Sequence, residues 1–150
     1  MSGYATAIKN RLAADSLLLA TLTGGVHDHA ALGMFGASKL PALAYQGNGR
    51  MKPLAIVRGR GVTVTAGIQN RPTQFAATRQ VVEVWLYDDR DASASALDTA
   101  GQRIYTLLHH RPLSGTFELE MNSWLRGMRA PEYGDARMAR LEFEVRGRMP

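Results

Sequence analysis

Few side chains in this sequence have the types and spacing that chemistry needs. His27-Asp28-His29 alternates two imidazoles, which on an extended strand would project to one side as the start of a metal site. The segment reads as a loop, no nearby glutamate offers a third ligand, and the chain has no cysteine to supply a thiolate. Asp88, Asp89 and Asp91 have the composition of a divalent-cation site, but they precede an amphipathic stretch, and capping of exposed helix N–H groups explains them more simply. Glu118 with Glu120, and Glu142 with Glu144, are spaced like paired acid/base carboxylates. Each pair alternates with apolar residues, so the expectation is the solvated outer face of a strand. His109-His110 closes a helical stretch, where the dipole favours a protonated imidazole. No Gly-x-Ser-x-Gly elbow occurs, and Gly47-Asn48-Gly49 and Gly59-Arg60-Gly61 lack the spacing and the Lys-Ser/Thr ending of a phosphate loop. The expectation is a protein without catalytic residues, metal ligands or cofactor, and not an enzyme.

What remains is charge. The net charge is +5, and 15 of the 18 basic residues are arginine, the side chain suited to bidentate contact with carboxylate or phosphate. No acidic residue occurs between Asp28 and Glu83, while Lys39, Arg50, Lys52, Arg58, Arg60, Arg71 and Arg79 fall inside that stretch. An acid-free segment of this kind makes a local positive field. It faces nucleic acid, docks on an acidic partner, or is a solvated loop. Aromatic residues are not interleaved with the arginines as a single-strand stacking platform requires, and no helix is basic along one face like a groove reader. Loose contact with a duplex backbone stays open.

These residues are positioned by a chain of 150, one domain's worth. No apolar run reaches membrane-spanning length and no signal-peptide core opens the chain, so a soluble cytoplasmic product with no membrane partner is expected. Thr78–Tyr87 reads as an interior strand, with Val82, Val84 and Leu86 on one face and Val81, Trp85 and Tyr87 on the other. A helix follows from Ala92, its apolar stripe Leu97, Ala100, Ile104, Leu107 and Leu108, stopped by Pro112. The N-terminal stretch is helical through Ala5, Ile8, Leu12, Leu19 and Leu22, with a break near Ala14, a cap at Asp15-Ser16 and a stop at Gly24-Gly25. Between residues 26 and 77 glycine and proline cut the chain into short strands at Ala42–Tyr45, Leu54–Val57 and Val62–Thr65. A turn is expected at Arg58–Gly61 and an exposed loop from Gly67 to Phe75. Two further strands centre on Leu119 and Phe143, joined by a loop over Arg126–Gly134. The fold class is α+β, an antiparallel sheet with two helices packed on one face, in the order α-β-β-(β)-α-β-β.

That order of elements resembles the tail terminator (tail completion, head-tail joining) proteins of long-tailed bacteriophages. Leu12–Leu17 leading to Leu22-Thr23-Gly24-Gly25 is similar to the family's first helix and glycine stop. Leu40–Tyr45 is similar to its first strand, Thr78–Tyr87 to its long central strand, and Ala96–Leu108 to its second helix. The resemblance implies a single domain over residues 1–150, with a glycine-rich basic region at about 46–77. It implies a structural virion protein of the tail or neck, made in the host bacterial cytoplasm. Such a subunit forms a homo-oligomeric ring, typically a hexamer, on the last ring of tail tube protein. The ring ends tube growth and joins the tail to the head-tail connector. On that reading Arg50, Lys52, Arg58, Arg60, Arg71 and Arg79 contact partner rings, or DNA in the lumen. Another connector ring of the neck, or a basic nucleic-acid-binding module, is the alternative.

Overall fold

The computed structural model describes residues 3–32, 45–47, 49–60, 63–65, 77–111, 113 and 116–148. The first half holds helices α1 (Gly3–Ala13) and α2 (Ser16–Thr21), strand β1 (Val26–Asp28), the short helix α3 (His29–Leu32), and strands β2 (Leu54–Gly59) and β3 (Thr63–Thr65). The second half holds β4 (Ala77–Asp88), helix α4 (Ser95–Leu108), β5 (Thr116–Ala130) and β6 (Ala136–Arg148).

β4 is the axis of the sheet, because β-branched and aromatic residues let it bury both faces. The strand order is β1-β2-β4-β6-β5, with β3 also paired to β4. Val82, Val84 and Leu86 point to the side carrying α1, α2 and α4, where they join Ile8, Leu12, Leu18, Leu97, Ile104, Leu108, Leu141 and Phe143 in the main core. Each of these large side chains, fully removed from water, contributes about 1.5–3 kcal/mol. The opposite face carries a smaller apolar cluster of Leu54, Ile56, Tyr87, Tyr133 and Met138. The α+β class and the packing of the helices on one face therefore hold.

Several local expectations change. The sheet is mixed, not wholly antiparallel: β1 pairs with β2 in parallel, Val26 opposite Ala55. Gly24 makes that approach possible, since its N–H donates to the Pro53 carbonyl at 2.8 Å and a Cβ there would sit 2.9 Å from the same oxygen. His27-Asp28-His29, expected in a loop, thus ends a strand and begins a helix. Arg58 and Gly59, expected in a turn, finish β2. β2 and β3 do not pair with each other; both lie along β4, and between them the Arg60 N–H bonds the Val81 carbonyl at 2.9 Å. Of the expected Ala42–Tyr45 strand only Tyr45 is described, in an isolated bridge to Met51. The rest of that strand, and the Gly67–Phe75 loop, lie outside the described residues.

The N-terminal helix breaks where the Asp15 cap was expected, and its side chain accepts from the Leu18 N–H at 2.8 Å. The break resets the helical phase, so Leu18 is buried while Leu17 and Leu19 are exposed. α4 begins at Ser95, later than Ala92, and the acidic turn does not cap it: Ala94 takes the cap position without a side-chain bond. Asp88 and Asp89 instead accept backbone N–H groups of the turn itself and of Met51. Arg126–Ala130 is not a loop but the end of β5, which three register shifts disguise. One of them carries Gly127 at φ +70, a left-handed conformation that suits glycine.

Candidate interaction surface

Of the basic residues singled out from the sequence, Arg58, Arg60 and Arg79 lie on the face of the sheet opposite α1, α2 and α4, where Arg60 and Arg79 meet acids from far along the chain. Alternation along β4 puts Glu83 on that face between Val81 and Trp85. Glu83 is 2% exposed, and a carboxylate this far from water needs cationic partners. Arg60 supplies a fork, Nε at 3.3 Å and the terminal nitrogen at 3.1 Å, and Arg140 of β6 approaches at 3.4 Å. Arg140 also lies over the Trp85 ring, 5.4 Å from its centroid, a cation–π placement. One level along the sheet Glu144 is held by Arg146 at 2.7 Å and by Arg79 at 3.1 Å. Burial works to raise the Glu144 carboxyl, but the Arg146 hydrogen bond and the charges of Arg146 and Arg79 outweigh it and hold the group below the usual range. Glu144 is therefore buried and paired, contrary to the expectation of a solvated outer face.

Arg50 forks onto Asp89 at 3.2 and 2.9 Å, tying the segment before β2 to the turn after β4. Burial pushes the Asp89 carboxyl up, but the Arg50 bond and the backbone N–H groups prevail and lower it. Asp88, beside it and buried, is raised by desolvation. Lys52 is half-buried, Arg58 is exposed on β2 opposite Glu83, and Arg71 lies outside the described residues. The acid-free stretch is thus not acid-free in space. Arg50, Arg60 and Arg79 are each within salt-bridge distance of a carboxylate from β4, β6 or the turn between β4 and α4. Sequence order hid Glu83 and Glu144 as their partners; what pointed to them was their placement among apolar residues on strands with two covered faces.

Elsewhere the structure gives the candidate residues structural work. The Asp28 carboxylate accepts the Ala30 N–H at 3.0 Å and the Thr6 hydroxyl at 3.2 Å, and His27 Nε2 bonds the Gly24 carbonyl at 2.8 Å. Burial and the nearby Arg58 charge push His29 down, with Asp28 opposing them. No group of three His, Asp or Glu side chains placed to hold a metal occurs among the described residues. At the end of α4, Tyr105 stacks on His109 and His109 on His110, with centroids 4.5 and 3.9 Å apart. The His109 Nδ1 accepts the Met121 N–H at 3.1 Å, so this pile fastens the helix end to β5. Asp15 does the same for the other helix pair, receiving a fork from Arg103 at 2.9 and 2.7 Å besides capping α2. That hydrogen bond is the main reason its carboxyl lies below the usual range.

No helix among the described residues is long and apolar enough to cross a membrane. The arrangement is one of ion pairs gathered around buried carboxylates on the sheet face opposite α1, α2 and α4.

No family model matches the sequence, and no curated protein matches it. Among solved structures, the fold is similar to that of a chain in the virion of a native gene transfer agent particle. The TM-score is 0.57 at 18% identity, and the match covers 97% of this chain and 95% of that one.

Proposed function

We propose that the protein is a structural component of a phage-like virion. In this reading it forms a ring, with six copies as the expected number, at the head-proximal end of a tail tube, where it ends tube polymerisation and joins the tail to the neck connector. The observation that carries the reading is the fold likeness to a virion chain, which covers nearly the whole of both chains. The element order that resembles tail terminators supports the more specific role. The arginines on the sheet face opposite α1, α2 and α4 support a contact function through their solvent-exposed sides, since Arg60 and Arg79 hold buried carboxylates while remaining about half exposed themselves. Loose binding to duplex DNA is less favoured, since Arg50, Arg60 and Arg79 already have carboxylate partners.

The test is native mass spectrometry of the purified protein, then negative-stain imaging of it mixed with tail tube protein from the same particle. Rings of one size seated on tube ends, with tubes that stop lengthening, are expected. A protein that stays monomeric at high concentration and leaves tube length unchanged overturns the proposal.

A further inference from the structure

An edge strand has outward N–H and C=O groups that alternate with those bonding its neighbour. On the first half of β5, whose inner side is taken by β6, such groups fall at Leu119 and Met121, and the end of α4 closes both. The Leu119 carbonyl accepts the His110 N–H at 2.8 Å, and the Met121 N–H donates to His109 Nδ1 at 3.1 Å. Residues 109 and 110 thus serve β5 as a short strand would, with one backbone donor and one side-chain acceptor. We propose that His109 is a pH-sensitive cap on this edge: the neutral ring stands where a strand's carbonyl would stand, and taking up a proton makes it release the Met121 N–H. A cap of this kind works within a single subunit and does not depend on the ring reading.

The direction follows from the donors. A backbone N–H can only donate, so Nδ1 must offer its lone pair, and the neutral ring carries its proton on Nε2. A protonated ring is a donor at both nitrogens. Two N–H groups would then face each other across 3.1 Å, and the ring must turn away. Imidazole is the side chain whose charge ordinarily changes between about pH 5 and 8. The bond is therefore present on the alkaline side and lost as pH falls.

The groups around the ring pull in opposite directions. The carbonyl end of α4 favours a cation, and Tyr105, stacked 4.5 Å away, accepts one over its face. Against a cation stand the Met121 N–H and the His110 ring at 3.9 Å, which makes a second charge on the pair unfavourable. Two arginines share the corner: Arg111 follows in the chain, and Arg11 of α1 donates to the Arg111 carbonyl at 2.8 Å. β6 brings no charge, since Val145 and Phe143 lie opposite Leu119 and Met121, and Glu120 alternates onto the other face of the sheet. No ion pair among the described residues involves His109 or His110. His110 itself has φ +56, a left-handed conformation uncommon outside glycine. Once the ring lets go, that backbone can relax and release the Leu119 carbonyl as well, leaving an edge that another strand can pair with.

The test is hydrogen exchange read amide by amide on the intact protein, with rates corrected for the intrinsic effect of pH. Protection of the wild-type Met121 amide is expected to fall about tenfold between about pH 8 and about pH 5, the scale of one hydrogen bond. Val84, in the middle of β4, should keep its protection. His109→Asn places a carboxamide oxygen near the position of Nδ1 and does not titrate, so it should hold Met121 at both pH values. His109→Phe keeps a stacked ring without an acceptor and should leave Met121 poorly protected at both. A wild type without the fall overturns the cap. The same fall in either variant overturns it too, since another group then carries the titration. Loss of protection at Val84 together with Met121 also overturns it, because the opening is then global. Each of these results leaves the ring reading standing.

Discussion

Replacing Gly101 by alanine sets two magnitudes against each other. In an exposed helix interior alanine is better than glycine by about 1 kcal/mol. Gly101, however, is where the Trp124 indole of β5 packs on α4. An alanine Cβ would sit 2.8 Å from Trp124 Cε2, 3.0 Å from Cη2 and closer still to Cζ2. Comfortable carbon contacts lie at roughly 3.5–4.0 Å. The indole is rigid, so it must move as a whole, carrying the Arg126 guanidinium that lies 4.1 Å over its ring. Overpacking of this sort costs about 1–3 kcal/mol. Subtracting the propensity gain leaves a net loss of up to about 2 kcal/mol, a drop in Tm of about 2–4 °C for each kcal/mol lost in a chain of this size. Urea denaturation followed by circular dichroism, on Gly101→Ala, Trp124→Leu and the double variant, separates the two terms. Gly101→Ala is expected to destabilise the wild-type chain but to stabilise the Trp124→Leu chain by about 1 kcal/mol. A gain of that size in the wild-type background would refute the view that Trp124 sets the spacing between helix and edge strand.

Two further outcomes follow from the ion pairs. Asp15→Asn keeps an acceptor for the Leu18 N–H but loses the charge that Arg103 grips. The folded carboxyl titrates below its usual value, so its stabilisation is present above the unfolded pKa of about 3.9 and is lost as pH falls through the folded value. The variant should therefore show a flatter acid limb in a plot of Tm against pH, and a limb as steep as wild type would count against this account. Glu83→Ala leaves the Arg140 Nε, already buried without a bond partner, beside a second unpaired cation. It should cost about 3 kcal/mol, the lower end for removing one partner of a buried pair, because Arg60 can turn to water. Arg60→Ala leaves Arg140 on Glu83 and should cost less; the reverse order in chemical denaturation would contradict the assignment of Glu83 as the centre of the network.

The sequence by itself determined what depends on near neighbours. Hydrophobic period fixed β4 and the buried stripe of α4, since Leu97, Ala100, Ile104 and Leu108 recur on one side of any helix they form. Alternation fixed β6, and the carboxylate of Asp15 marked the break between α1 and α2 because capping is a bond three residues long. Tertiary structure decided what depends on register between distant strands. β1 is three residues long and becomes a strand only because β2 lies beside it. The far end of β5 reads as a loop, because each bulge inverts the alternation that would reveal a strand. Most of all, the charge of the 29–82 stretch is a property of sequence, whereas its field is a property of space. Arg60 finds Glu83 at 23 residues' separation and Arg50 finds Asp89 at 39. Coulombic attraction falls with distance in space and takes no account of distance along the chain, so only the folded register shows which carboxylates hold which arginines.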